Sequence, residues 1–238
     1  MNAVERWRSR ALKPDARLLI AFVIVVAIVC AFAALASVAT AGGTLAIDRW
    51  LIAWLRDPVD SSLPLGPRWF RSMMLDLTGW GNTASLTMLT GIIIGYLLVM
   101  RRAATAVYLA SATAGGALFN SILKAIIDRP RPDVVAHLVE VNSASFPSGH
   151  AMNSAVVFLT LGAVLSRVHK QPGVRAYILT VAILLTLTIG FSRVYLGVHW
   201  PSDVMAGWLV GGVWATLCWM LARRLQRQET LEPSGATG

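Results

Sequence analysis

Charge is scarce in this chain. Only 14% of its 238 residues are Asp, Glu, Lys or Arg, while 56% are hydrophobic. That balance excludes a solvated globular surface and points to a chain that lies in a bilayer. Cysteine is nearly missing as well: Cys30 and Cys218 are the two present, each inside an apolar run. They supply neither a disulfide framework nor a metal-binding set, and both read as core or lipid-facing side chains. The 12 acidic residues form no compact cluster that would hold Mg²⁺. A formal charge of +9 would suggest nucleic acid in a soluble chain. Here the arginines flank apolar runs, so the sign reads as membrane topology and no nucleic-acid partner is expected. Repeats, low-complexity tracts and a separate soluble domain are also missing.

What is there is a series of long apolar runs. A spanning helix needs roughly 20 apolar residues, which the first run, Leu18–Ala41, supplies; five further spans are read at about Ala84–Met100, Ala103–Ile127, Pro147–Arg167, Ala176–Gly190 and Pro201–Leu221. Ala39-Thr40-Ala41 resembles a signal-peptidase site, but the run before it is longer than a signal core of roughly 7–15 residues, so it reads as a retained anchor. Residues 42–83 do not span. Ile47, Trp50, Leu51, Trp54 and Leu55 recur at helical spacing with Asp48, Arg49, Arg56 and Asp57 around them, the pattern of an amphipathic helix in the interface. Trp69, Phe70 and Trp80 suit the headgroup layer. The expected fold is therefore all-α and polytopic: six transmembrane helices plus a short interfacial helix. Residues 1–17 form a cytoplasmic basic tail, 18–222 the membrane domain and 223–238 a cytoplasmic tail.

Six spans put both termini on one side. That side carries thirteen Lys and Arg and the other eight, so the positive-inside rule places the termini in the cytoplasm. Gly91-x-x-x-Gly95 and Gly207-x-x-x-Gly211 predict close helix contacts within the bundle.

The polar residues then fall at one membrane level. Lys124 ends the third span and Arg131 lies in the loop after it. Ser148, Gly149 and His150 follow Pro147 at the start of the fourth. Arg193 follows the fifth, and His199 and Asp203 open the sixth. Ionisable groups at a membrane are costly and by default functional. Pro147 fits a first helical position, which would leave the Ser148 and Gly149 N–H groups unpaired and aimed at an anion. Lys124, Arg131 and Arg193 add positive charge, a cradle suited to a phosphoryl group in transfer. Pro201 fits the first position of the last helix, which puts Asp203 in reach of His199, where a carboxylate fixes the imidazole tautomer. His150 can protonate a leaving oxygen. Arg129 reads as a headgroup anchor; His137 and His169 read as solvated loop residues.

Lys124 followed after six residues by Arg131-Pro132, then Pro147-Ser148-Gly149-His150, then Ser192-Arg193 with five residues to His199 and three more to Asp203, resembles the three-part signature of the type 2 phosphatidic-acid phosphatase superfamily. A three-part match in residue type, spacing and order is far more specific than any one motif. The resemblance covers about residues 84–222 and is nearest to the bacterial membrane lipid-phosphatase branch. Members of that branch act on phosphatidate, phosphatidylglycerophosphate or isoprenyl diphosphates such as undecaprenyl diphosphate. It implies His199 as nucleophile, Asp203 as its orienting partner and His150 as general acid and then base. Lys124, Arg131, Ser148, Gly149 and Arg193 would bind the phosphoryl group, with no metal and no cofactor. The expectation is a multi-pass inner-membrane lipid phosphatase whose site faces the periplasm and whose partners are the bilayer and a lipid phosphate. Rivals are a phosphotransferase of the same superfamily, a vanadate-dependent haloperoxidase, which the six-span body disfavours, and a lipid or anion transporter, whose charges would sit near the midplane.

Overall fold

The computed structural model describes residues 14–141 and 143–231. Among them the chain forms eight helices: α1 (Pro14–Thr40), α2 (Ala46–Trp54), α3 (Arg68–Gly79), α4 (Thr83–Val99), α5 (Ala103–Ile126), α6 (Gly149–Val168), α7 (Pro172–Tyr195) and α8 (Pro201–Leu231). Five of these, α1 and α5 to α8, are long and apolar enough to cross a membrane; α3 and α4, bent by 54°, make a sixth crossing if taken as one. Residues 1–13 and 232–238, parts of the two expected tails, lie outside the described residues. The last helix runs through Arg223, Arg224 and Arg227 to Leu231, ten residues past the expected end. Arg, Leu and Gln are good helix formers, and the Arg223 guanidinium lies 4.7 Å over the Trp219 ring. The fifth span is also longer than its apolar run, so Arg193 falls in the last turn of α7.

Helix α6 is the centre of the bundle. It packs on α4, α5, α7 and α8, and 56% of its span is buried against 6% for α1. Lipid tails are as apolar as the helices, so association in the bilayer depends on close backbone approach and polar contacts. Small residues provide the approach. A Cβ at Gly207 would meet the Ser148 carbonyl oxygen at 2.8 Å, and one at Gly211 the Met152 carbonyl oxygen at 2.6 Å. The Gly207–Gly211 pair is therefore the seam between α8 and α6. Gly91 and Gly95 make no such contact: nothing lies within 4 Å of either, so the expected seam on α4 is not formed. Indole N–H groups add polar contacts, Trp208 Nε1 donating to the Thr186 carbonyl at 3.1 Å and Trp214 Nε1 to the Ala112 carbonyl at 2.8 Å.

The 42–83 segment is more than an interfacial float. Trp50 and Trp54 are exposed, 59% and 61%, and stack with centroids 6.4 Å apart, as a lipid-facing pair would. The opposite face of α2 is buried at Asp48 and Ile52. Asp48 and Arg56, expected around the wet side of the helix, are both buried. Arg56 reaches the Tyr195 carbonyl at 3.0 Å and so clamps the end of α7. Phe70 of α3 meets the Tyr195 ring edge-on at 5.2 Å. These contacts dock residues 42–83 on the C-terminal end of α7.

Candidate active site

Three chain reversals at one end of the bundle build the site. The first is the α7–α8 turn. Gly197, at φ 77°, lets the chain reverse between Arg193 and His199. Pro201 is then the first residue of α8, and Asp203 stands at the third, where its Oδ2 accepts the Trp200 N–H at 3.0 Å. That is the backward-reaching half of a capping box. It fixes the carboxylate beside His199, whose Nδ1 lies 3.5 Å from Asp203 Oδ2, long for a hydrogen bond. Ser145 tightens the arrangement: its hydroxyl donates to Asp203 Oδ2 and lies 3.4 Å from the same ring nitrogen.

The second reversal is the loop 127–148. Arg131 bridges it, with Nε donating to the Ser143 carbonyl at 2.8 Å and Nη1 to the Val198 carbonyl at 2.6 Å. The same Nη1 lies 3.3 Å from His199 Nε2. Lys124, in the last turn of α5, reaches out of the span to the Ala144 carbonyl. Arg129 differs from the expected headgroup anchor. It is 1% exposed and its guanidinium donates to Asp203 Oδ1, to the Ser202 hydroxyl at 2.8 Å, to Asp48 Oδ2 at 3.2 Å and to the Gly43 carbonyl at 2.8 Å. A planar fork with five donors suits this four-way junction better than an interface.

The third is the start of α6. Ser148 is the N-cap residue, so the helix begins at Gly149, two places later than expected, and Pro147 lies outside it. The Ser148 N–H is not free: it donates to the Asp203 carbonyl at 3.0 Å. The orphan donors of this helix start are therefore those of Gly149, His150 and Ala151, the first three helical residues, since the Met152 N–H donates to the Ser148 carbonyl. The Ser148 hydroxyl is buried without a partner, as are Arg193 Nε and Asn120 Oδ1. Arg193 is held from its other end, Nη1 donating to Thr78 Oγ1 at 2.7 Å. A Cβ at Gly149 would meet Asn120 Nδ2 at 3.1 Å and Lys124 Cε at 3.6 Å, so a side chain here would press on Asn120. Gly81, in the bend between α3 and α4, makes room for the His150 ring in the same way, with Cδ2 at 3.1 Å.

All eight sequence-predicted residues thus converge. Sequence reasoning missed Arg129, Asp48, Ser145, Asn120 and Thr78, which hold the others in place or stand among them. Among the described residues no three His, Cys, Asp or Glu side chains come together as a metal site. Lys124, Arg129, Arg131 and Arg193 against Asp48 and Asp203 leave a net charge of about +2, which matches a phosphate group carrying about −1.5 to −2. Burial, with the Arg131 and Arg193 charges, pushes His199 down to about 3 against the opposing pull of Asp203. At neutral pH the ring is therefore uncharged, with one nitrogen turned to Asp203 and the other to Arg131. A neutral imidazole beside buried, unpaired donors can attack an electrophile held by them.

A family model described as the PAP2 superfamily matches residues 105–227, a stretch that contains all eight residues. Over 149 residues, 60% of this chain and 70% of the relative, the sequence is 34% identical to phosphatidylglycerophosphatase B of Bacillus subtilis (strain 168). Over 67 residues, 28% of each chain, it is 39% identical to undecaprenyl-diphosphatase of Sulfolobus acidocaldarius. The crystal structure of a transmembrane PAP2-type phosphatidylglycerolphosphate phosphatase from Bacillus subtilis superposes with a TM-score of 0.72 at 28% identity, covering 85% of this chain and 97% of that one.

Proposed function

Because this chain belongs to the PAP2 superfamily, we propose that it is a membrane lipid phosphatase that works through a phosphohistidine. The observation that carries the reading is His199 itself, with Nδ1 turned to Asp203 and Nε2 to Arg131 and the phosphate cradle. The His199 Nε2 lone pair attacks phosphorus, and the bond from phosphorus to the lipid oxygen breaks. His150 gives its proton to the departing oxygen. Asp203 takes up the charge of the phosphoimidazole by holding the Nδ1 proton. His150, now a base, removes a proton from water; the hydroxide attacks phosphorus, the P–N bond breaks, and phosphate leaves. Lys124, Arg131, Arg193, the Ser148 hydroxyl and the Gly149 N–H hold the phosphoryl oxygens as charge builds on them. These groups supply the positive field a metal would otherwise bring, so the reaction runs without one.

The substrate is a phosphate monoester or diphosphate of a lipid whose tails stay in the bilayer while the headgroup reaches the cradle. Phosphatidylglycerophosphate and undecaprenyl diphosphate are the first two to try, since the relatives carry those names. The termini lie in the cytoplasm and the site at the opposite face. The test is phosphate release by purified protein in detergent, with both lipids and in excess chelator. Release from either lipid under chelation is the expected result. No release from any lipid phosphate rejects the reading, and activity lost to EDTA and restored by Mg²⁺ rejects the metal-free mechanism.

A further inference from the structure

The mechanism above makes no use of Asp48, a carboxylate with no solvent exposure. It lies on α2, outside the stretch matched by the family model. It accepts four hydrogen bonds: from the Leu45 N–H at 3.2 Å, the Ser202 N–H at 2.8 Å, the Ser202 hydroxyl at 2.6 Å and Arg129 Nη2 at 3.2 Å. Two of these come from the first turn of α8, the turn that carries Asp203. The fourth comes from the guanidinium whose other arm lies on Asp203 Oδ1. Arg129 therefore stands between two carboxylates, over the Trp200 ring at 5.8 Å.

This placement has two physical effects on Asp203. The first is geometric. With a carboxylate on one side only, the guanidinium could turn about its stem; a second carboxylate on the opposite arm holds the fork in one plane. Asp48 also ties the Ser202 N–H, an orphan donor of the α8 start, and so fixes the turn on which Asp203 rides. The second is electrostatic. A cation shared between two carboxylates neutralises each only in part. Asp203 keeps negative charge for the His199 Nδ1 proton, and keeps it where water does not screen it.

We propose that Asp48 is a positioning residue for the phosphoryl-transfer reaction, acting through Arg129 and Ser202 to fix the Asp203 carboxylate that orients His199. This rests on the phosphatase reading given above. It extends the working set from the membrane-spanning body to the helix that carries Trp50 and Trp54, so the seating of α2 in the interface and the aim of the nucleophile share one hydrogen-bond network.

The experiment uses the full chain in detergent, with a soluble phosphate ester and a long-chain lipid phosphate. Rates are taken per mole of monodisperse protein for wild type, Asp48→Asn, Asp48→Glu and, as a neighbour on the same helix, Arg49→Gln. Asp48→Asn should lower kcat about tenfold on both substrates with KM unchanged, the scale of lost orienting partners. Asp48→Glu, which keeps the charge, should recover part of that loss, and Arg49→Gln should match wild type. Unchanged kcat in Asp48→Asn, equal values for Asn and Glu, or a loss confined to KM overturns the proposal. If Asp48→Asn does not accumulate as monodisperse protein, Ser202→Ala takes its place: it removes the hydroxyl between Asp48 and Arg129 and keeps both charges. A fall of about threefold in kcat at constant KM, a smaller share of the same orienting effect, supports the proposal, and wild-type kcat overturns it. A wild type inert toward every phosphate ester rejects the phosphatase reading and this inference with it; an active wild type with an unaffected Asp48→Asn rejects only the inference.

Discussion

The Ser148 N–H donates to the backbone carbonyl of Asp203 at 3.0 Å. One hydrogen bond thus joins the start of the helix with the proposed phosphate-binding donors to the start of the helix that carries Asp203. The bond needs α6 and α8 to approach within backbone contact, and Gly207 permits that approach. A Cβ there would lie 2.8 Å from the Ser148 carbonyl oxygen and 3.0 Å from the Ala151 Cβ. Gly207→Ala should therefore push the two starts apart, lower the apparent Tm by the equivalent of about 1–3 kcal/mol and reduce kcat. Gly91→Ala, with nothing within 4 Å, should leave both at wild-type values. Equal behaviour of the two variants rejects the seam.

The proposed covalent step separates the two histidines. His199→Ala should lose at least about a thousandfold in kcat while remaining monodisperse. His150→Ala should still form phosphoenzyme from an ester with a good leaving group and release it slowly. The readout is an acid-labile, base-stable phosphoprotein captured by alkaline quench. Full activity in His199→Ala removes it as nucleophile.

Acid should weaken the fold through His199. Its folded value is pushed down to about 3 from an ordinary 6.5. Between those values the unfolded chain binds a proton that the folded chain refuses. The contribution is thus complete above 6.5 and is lost as pH falls toward the folded value. The apparent Tm at one scan rate should drop between about pH 7 and about pH 4, and His199→Asn should remove part of that drop. Parallel curves for the two proteins would contradict a neutral, buried ring.

The proposed topology is open to labelling. In a background with Cys30 and Cys218 replaced, Glu140→Cys lies in the loop beside the site and His169→Cys between α6 and α7, both exposed. An impermeant thiol reagent on intact cells should modify the first and spare the second. The reverse pattern would put the chemistry in the cytoplasm.

The stacked pair Trp50 and Trp54 should set chain-length preference. Each buried methylene of a lipid tail is worth roughly 0.8 kcal/mol, felt as uniform binding and so in KM. Trp50→Ala with Trp54→Ala should flatten kcat/KM across a chain-length series and leave hydrolysis of a soluble ester near wild type. A wild type indifferent to chain length removes the lipid assignment.

How much of this was legible in the sequence follows from the range of each interaction. The spans are read from the length of apolar runs, and the Pro201–Asp203 relation from helix geometry over three residues. The joining of Arg129 to Asp48, 81 residues apart, has no local signature, because it depends on how α2 docks. One signal was present: Asp48 precedes the buried Ile52 and Leu55 by four and seven residues, which puts a carboxylate on the inward face of an otherwise apolar stripe. The start of α6 was misplaced by two residues for a related reason. The Ser148 N–H is satisfied by a carbonyl from the last helix, and no reading of the Pro-Ser-Gly-His stretch alone contains that partner. Gly91 and Gly95 match the small-residue spacing that Gly207 and Gly211 also match; what differs is the presence of a neighbouring backbone.

The Asp48–Arg129–Asp203 junction also sets an order of events during synthesis. Asp48 leaves the ribosome 154 residues before Ser202, and at roughly 5–20 residues per second that is a wait of roughly 8–30 s. Through that interval a carboxylate, and later a guanidinium, stand at the bilayer boundary without their final partners. The turn before the last helix and its first residues deliver His199, Ser202 and Asp203 together and close the junction. A chain that stops before residue 199 lacks the proposed nucleophile, and its Asp48 lacks the two donors of Ser202.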